Sequence, residues 1–350
     1  MDLVPGVDRD RWSELALASQ NVFATPEWLE TWWQHYGSGE IVSVHDDRVV
    51  LPLHLTGGMV TQLRFIGSEQ SDQLGPACAP EDLPHAVDLL MKTADEVKAD
   101  VVLIQDVPTS DSTWESVGGT RIRLVASPLT RFDEEFNDPG QAQVKDGVLP
   151  WERYVAAQSK NMRGQLRKKP GRLHDDFESV EYRLADDSTM HEDLDRLLDL
   201  HEDRWDGETP LTSAKLQTFL HDFIAIAQQR GWLRLRSLAL DGVVRAAQLD
   251  LRFGDHQGCY QVGRDPSYDD HSLGYVLMAH CMEQAVAEGA EEFRFLRGNE
   301  SYKYRFATHQ GDVQTLAVGR TLKGKAAVKA ATLRSEEDQT PLEDLPARPR

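Results

Sequence analysis

The stretch WLRLRSLALDGVVRAAQLDLRFGDHQGCYQVGR, Trp232 to Arg264, decides the fold. Trp232 to Leu240 alternates apolar and polar residues, the period of a half-buried strand, and Val243 to Phe253 continues as a second strand. Asp241-Gly242 between them has the chemistry of a type I′ turn, in which both central residues take positive φ. Gly254-Asp255 through Gly258 makes the next turn, and Cys259 to Val262 a short third strand. Three consecutive antiparallel strands are expected.

Two helices precede them. Met190, Leu194, Leu197, Leu198, His201 and Trp205 form one apolar stripe at helical spacing, with Glu192, Asp195, Asp199 and Glu202 off it. A second helix runs from about Ser213 to Gln229, with Gly231 placed as its stop. After the strands, a helix opens near Ser272, passes Met278, Cys281, Met282 and Ala285, and ends at Gly289; Phe293 to Leu296 is then a short buried strand. Gln314 to Gly319 adds a further edge strand.

The first half repeats this order. Thr25-Pro26 caps a helix carrying Trp28, Leu29, Trp32, Trp33 and Tyr36. Ile41 to His45 and Arg48 to Leu55 make a hairpin, Met59 to Ile66 a further strand, Glu81 to Lys98 contains a helix, and Val101 to Gln105 is a strand. The expected organisation is one module over 1–130, a polar connection over 131–150, and a second module over 151–319. A basic helix over 320–334 and a disordered tail over 335–350 follow.

The 350 residues are enough for two cores of ordinary size. A net charge of -20 makes the average surface repel nucleic acid and acidic membranes, so DNA is not an expected partner and an anionic ligand needs a local basic patch. Lys160, Arg163, Arg167, Lys168, Lys169 and Arg172 supply one, six cations without an acid in 13 residues. They read either as a phosphate or tRNA footprint or as a solvated helix face. Cys78, Cys259 and Cys281 support neither a disulfide framework nor a zinc site, and no metal is expected. An acidic N-terminus and the lack of an 18-residue apolar run predict a cytoplasmic chain without integral membrane contact.

Two places can carry chemistry. Ser272-Leu273-Gly274-Tyr275, at a strand-to-helix loop, offers free backbone N–H groups at the positive end of a helix, suited to phosphate or, more blandly, to plain capping. Phe293 to Phe306 places Lys303 beside Tyr302 and Tyr304, where an ammonium can neutralise a developing oxyanion or simply snorkel from a strand exit.

The run Gly298 to Phe306 resembles the G-x-x-x-Y-K-x-x-F/W ending of the cellulose-biosynthesis-type (CelD/BcsL-like) acetyltransferases of the GNAT superfamily, relatives of the FemAB-like aminoacyltransferases. The segments Phe23 to Trp28, Lys160 to Arg172, Leu200 to Trp205 and Tyr260 to Pro266 match in order. The resemblance implies an α/β (α+β) fold of two tandem GNAT-like modules, each a mixed, mainly antiparallel sheet flanked by helices. It also implies transfer of an acyl group, from acetyl-CoA or another acyl-CoA, to an amine or hydroxyl of a small-molecule or envelope-glycan precursor. Ser272, Leu273, Gly274 and Tyr275 would hold the donor. Lys303, His201, Tyr302 and Glu300 would carry catalysis, and Arg204, Trp205, Gln261, Arg163 and Arg167 would bind substrate. His201 reads equally as a core-edge histidine. Where the family has an acid before the glycine, this chain has Arg294, which removes the usual general base and leaves Glu300 nearby in sequence. Two rivals remain: an aminoacyl-tRNA-dependent transferase, and a catalytically silent adaptor in polysaccharide assembly.

Overall fold

The computed structural model describes residues 2–132, 149–204 and 210–338. The chain divides into two compact units: Met1–Pro128 with Leu296–Ser301 and Gln310–Arg350, and Leu129–Phe295 with Tyr302–His309.

In chain order the helices are α1 (Arg9–Ala18), α2 (Pro26–Tyr36), α3 (Leu83–Glu96), α4 (Pro150–Ala157), α5 (Lys160–Asp176), α6 (Met190–Arg204), α7 (Ala214–Gln229), α8 (Leu273–Ala287), α9 (Lys303–Phe306) and α10 (Leu322–Asp338). The strands of the first half are β1 (Glu40–Ile41), β2 (Val44–His45), β3 (Val49–Leu51), β4 (Leu53–Thr56), β5 (Gln62–Phe65), β6 (Ala77–Cys78), β7 (Val101–Pro108), β8 (Thr120–Ala126) and β9 (Leu129–Arg131). Those of the second are β10 (Val180–Leu184), β11 (Leu233–Leu240), β12 (Val243–Phe253), β13 (His256–Arg264), β14 (Glu292–Arg294) and β15 (Asp312–Gly319).

One six-stranded sheet has the order β1-β4-β5-β7-β15-β8 and belongs to the first unit; the other, β10-β11-β12-β13-β14-β9, belongs to the second. Both are mainly antiparallel, with one parallel pair each: β5 with β7 across α3, and β13 with β14 across α8. In the first unit Leu63, Phe65 and Ile104 bury against Ala86, Val87 and Leu90 of α3. In the second, α8 packs on the sheet through Leu273, Val276, Leu277 and Cys281 against Leu238, Leu240 and Ala246. Nine of its residues are buried, because α4 and α5 cover its other side.

The Asp241-Gly242 turn is as the sequence predicts, at φ 48° and 78°. Four expectations change. Gly254-Asp255 alone turns the chain, with Phe253 opposite His256, so β13 starts three residues before Cys259. The hairpin expected over 41–55 is split at Pro52, which has no N–H for the ladder: β3 pairs with β2 and β6, and β4 with β1 and β5. The strand expected at an edge after the second half, β15, lies inside the first sheet between β7 and β8, while β9 closes the second sheet beside β14. β14 is complete at Arg294, and Leu296 already turns away at φ 57°.

The stretch expected as a connection falls mostly on residues 133–148, outside the described residues. The basic stretch from 320 forms α10, which runs to Asp338, into the segment expected as a tail; residues 339–350 lie outside the description. Among the described residues no helix is long and apolar enough to cross a membrane.

Candidate functional site

In the second unit β13 and β14 pair only from His256/Glu292 to Gly258/Arg294. Just beyond, the β12–β13 register steps from Asp250 opposite Cys259 to Leu249 opposite Gln261, so Tyr260 is an extra residue. A bulge of this kind bends a strand away from its neighbour. On one side of β13 Gly263 lets α6 approach closely: a Cβ there would meet the Leu197 carbonyl oxygen at 2.5 Å and the His201 nitrogen at 2.9 Å. His201, half-buried, is thereby held beside the strand that carries Gln261, also half-buried.

Beyond β13 the chain enters α8 through Ser272. This serine takes the left-handed conformation (φ 55°, ψ 45°), and no side chain caps the helix. Its hydroxyl instead accepts from Lys169 Nζ at 2.6 Å, and the same ammonium stands 5.2 Å from the centre of the Tyr275 ring. Of the two readings the sequence allows, plain side-chain capping by Ser272 is not made, because α5 lies against the helix start and its lysine takes the hydroxyl. Arg172 of α5 donates to the Asp270 carbonyl at 3.1 Å. Burial, then the fields of Arg305 and Arg172, pull the Lys169 pKa below its ordinary value. Lys169 thus sits on the first turn of α8, Arg172 beside it is also paired with Asp176 at 3.1 Å, and the field of Arg305 reaches the ammonium. Leu273 is buried in the core, so only its backbone faces that turn; Tyr275 Oη donates to Met162 Sδ at 2.8 Å and its ring packs on Phe306. Gly274 lies close under Arg264, where a Cβ would crowd Arg264 Cδ at 3.3 Å.

Lys303 opens α9 and is 4% exposed, an ammonium inside the unit rather than on its surface. Its charge is felt at the buried Cys259 thiol, where it opposes the upward push of burial and of Asp250. Tyr302 packs against the Phe293–Phe295–Phe306 cluster. Glu300 falls in Leu296–Ser301, which groups with the first unit. Arg294 pairs with Glu292, which Arg131 also reaches at 3.2 Å. Burial pushes Glu292 up, but Arg294, His256 and Arg131 hold it below the ordinary carboxylate range. Arg204 ends α6 and Trp205 follows; the Arg204 side chain and the whole of Trp205 lie outside the described residues.

Arg163 and Arg167 are exposed and border a cavity of about 390 Å³ between α5, α8, α4 and β10. Its floor is the stacked pair Tyr182 and His280, with ring centres 4.1 Å apart. Burial, then Arg236, pushes His280 down to about 4, and burial raises Glu283. A neutral imidazole and two guanidinium groups suit a ring-bearing anion.

Sequence reading missed Asp250, which alternation places in β12 without saying which face is covered. It is fully buried and accepts from Gln248 Nε2 at 2.8 Å and Gln257 Nε2 at 2.7 Å. Burial drives its pKa up to about 6, against the opposing effects of Gln248, Arg236 and Gln257. Among the described residues no group of three or more His, Cys, Asp or Glu could hold a metal ion.

Residues 160–304 match the family model of the acetyltransferase (GNAT) domain. No curated protein sequence matches the chain. Among solved structures, FemX is similar with a TM-score of 0.61 at 10% identity, covering 89% of this chain and 96% of that one. The C-terminal domain of an Agrobacterium fabrum protein named as a lysylphosphatidylglycerol synthetase is similar at 0.57 and 13%, over 93% and 95%. L-PGS from Bacillus licheniformis gives 0.52 and 12%, over 89% and 96%. At these identities the likeness is one of fold. The two mainly antiparallel sheets flanked by helices are GNAT-like.

Proposed function

We propose that the chain is an acyltransferase whose second unit holds a phosphate-bearing acyl donor at the first turn of α8. One observation carries this reading: Lys169 sits on Ser272 at that helix start, with Arg172 on the neighbouring Asp270 carbonyl and the field of Arg305 reaching the ammonium, in a chain of net charge -20. Helix N–H groups alone attract an anion weakly, and added ammonium and guanidinium groups make a cradle for a diphosphate. Lys169, already seated on Ser272, then contacts the donor in place of the serine hydroxyl. The diverging edges of β13 and β14 suit an extended carrier arm.

In the reaction an amine or hydroxyl of the acceptor attacks the acyl carbonyl. A new C–N or C–O bond forms, the bond to the carrier breaks, and the acceptor's proton passes by way of His201 to the departing carrier atom or to solvent. His201 is the proposed proton acceptor, beside Gln261, which orients the acceptor by hydrogen bonding. Lys303, buried, contributes positive potential toward the oxyanion. With arginine at position 294, no acid from β14 is needed in this scheme.

Acyl-CoA is the first donor to test. An aminoacyl-tRNA donor is favoured by a separate observation, the exposed row Lys160, Arg163, Arg167, Lys168 and Arg172 along α5. Calorimetry with acetyl-CoA, a longer acyl-CoA and free CoA should show binding that Lys169→Met weakens about tenfold or more, with thermal stability unchanged. If all three are silent and tRNA binds with a steep salt dependence, the second donor holds. Silence toward both donors overturns the acyltransferase reading.

A further inference from the structure

We propose that the first unit docks on an anionic lipid surface through a patch built around Met59 and Leu322. These are the two most exposed large apolar side chains among the described residues, at 94% and 89%. They lie far apart in sequence, and one buried carboxylate joins the two segments that carry them. Asp100, 2% exposed, accepts from the Thr61 backbone and hydroxyl, both at 2.9 Å, from the Thr321 hydroxyl at 2.6 Å, and pairs with Lys323 Nζ at 2.7 Å. Met59 stands two residues before Thr61, at the tip of the Gly57-Gly58 turn, and Leu322 immediately follows Thr321.

The support beneath them is firm. Val60, next to Met59, packs against Val101, Ala317 and Val328, and Val328 lies on α10. Gly324 lets that helix lie directly on the chain at Asp100, where a Cβ would come 1.9 Å from the Asp100 carbonyl oxygen. A rigid seat under two fully exposed apolar side chains removes water-exposed apolar area only if something outside the unit covers them.

The charge around them names the covering. Residues 320–329 contain Arg320, Lys323, Lys325 and Lys329 and no acid, in a chain of net charge -20. Arg320 is tied to Asp95 and Lys323 to Asp100, but Lys325 and Lys329 are exposed and make no ion pair among the described residues. Leu322, Lys325 and Lys329 fall at i, i+3 and i+7, on one face of α10. Exposed apolar side chains beside lysines that can meet lipid phosphates fit an anionic lipid surface, through the charge of the lysines and the covering of the apolar area. A protein partner would be expected to meet an aromatic anchor, and neither Met59 nor Leu322 is one.

The test is co-sedimentation of the full chain with vesicles of phosphatidylcholine alone and of phosphatidylcholine containing phosphatidylglycerol. The expected result is binding to the anionic vesicles only, reduced by added salt. Met59→Asp and Leu322→Asp should each weaken it by roughly fivefold or more, since each withdraws an inserted side chain and adds a repelled charge. Leu184→Asp, an exposed leucine of the other unit, should leave it unchanged. An aspartate at position 322 sits in the first turn of α10, where it favours the helix, so folding is preserved. Equal binding to neutral vesicles, binding retained in both aspartate variants, or no binding to either vesicle overturns the proposal. Because none of these readouts involves acyl transfer, failure here is separate from failure of the proposed enzyme activity.

Discussion

Replacing Asp250 by asparagine should flatten one component of the pH dependence of stability. The carboxylate lies fully buried in β12, and its pKa is driven up to about 6 from an ordinary 3.8. A folded-state pKa above the unfolded one means that the folded protein holds this proton more tightly. The associated stability is complete below about pH 4 and is lost as the pH rises through 6. The displacement is 6 minus 3.8, or 2.2 units, and at about 1.4 kcal/mol per unit it amounts to about 3 kcal/mol. Asparagine is nearly isosteric and has no charge to bury. Gln248 and Gln257 each keep an unpartnered buried Oε1, so either amide can rotate to accept from the new NH₂ group. Rotation sets a constant offset between the two proteins, whereas the titration sets a slope. Urea unfolding of both proteins between pH 4 and pH 8 separates these. The stability of Asp250→Asn relative to wild type should rise by about 3 kcal/mol across that window, most of it between pH 4 and pH 6. All other titrations cancel in the difference. A difference that stays constant with pH refutes the reasoning, since it would mean that Asp250 titrates alike in the folded and unfolded chain.

Other predictions rest on separate contacts. Gly263→Ala should destabilise by about 2–3 kcal/mol in urea unfolding, because its Cβ meets α6 backbone at 2.5 Å; an unchanged midpoint would show that α6 is not seated there. Arg297 reaches Asp72 at 2.6 Å and the 2%-exposed Asp106 at 2.8 Å, with Arg123 as the only other cation paired with Asp106 among the described residues. Arg297→Ala should therefore lose about 2–3 kcal/mol at neutral pH. Burial already raises the Asp106 pKa, against Arg297 and Arg123, so this loss should shrink in acid as the carboxyl takes up its proton; a loss independent of pH would point to packing alone. Lys303→Met should lower turnover about a hundredfold while leaving donor affinity within a few-fold, measured by steady-state kinetics and calorimetry. Equal turnover with an intact fold removes the role assigned to it.

Much of the second unit was legible in the sequence because its signals are local. The Asp241-Gly242 turn, the ends of α6 and α7, the Gly231 stop and the course of α8 to Gly289 each depend on residues within a few positions of one another. The position of the candidate helix start was legible for the same reason. What fills it was not: Lys169 reaches Ser272 across 103 residues, and the basic run containing it reads the same whether it faces solvent or the helix. The burial of Asp250 was hidden too, since alternation marks two faces of a strand but not which of them α8 covers.

By itself the sequence determined α6, α7 and α8, the strands joined by the Asp241-Gly242 turn, and which cations could meet an anion. Only the tertiary structure decided which strands distant in sequence are neighbours. β15 enters the first sheet between β7 and β8, and β9 completes the second beside β14, although chain order suggests otherwise. The physical reason is that strand pairing is made by backbone N–H and C=O groups, which every residue but proline carries alike. A strand's own pattern sets its faces, and the partner at its edge is set by which other edge the rest of the fold leaves open.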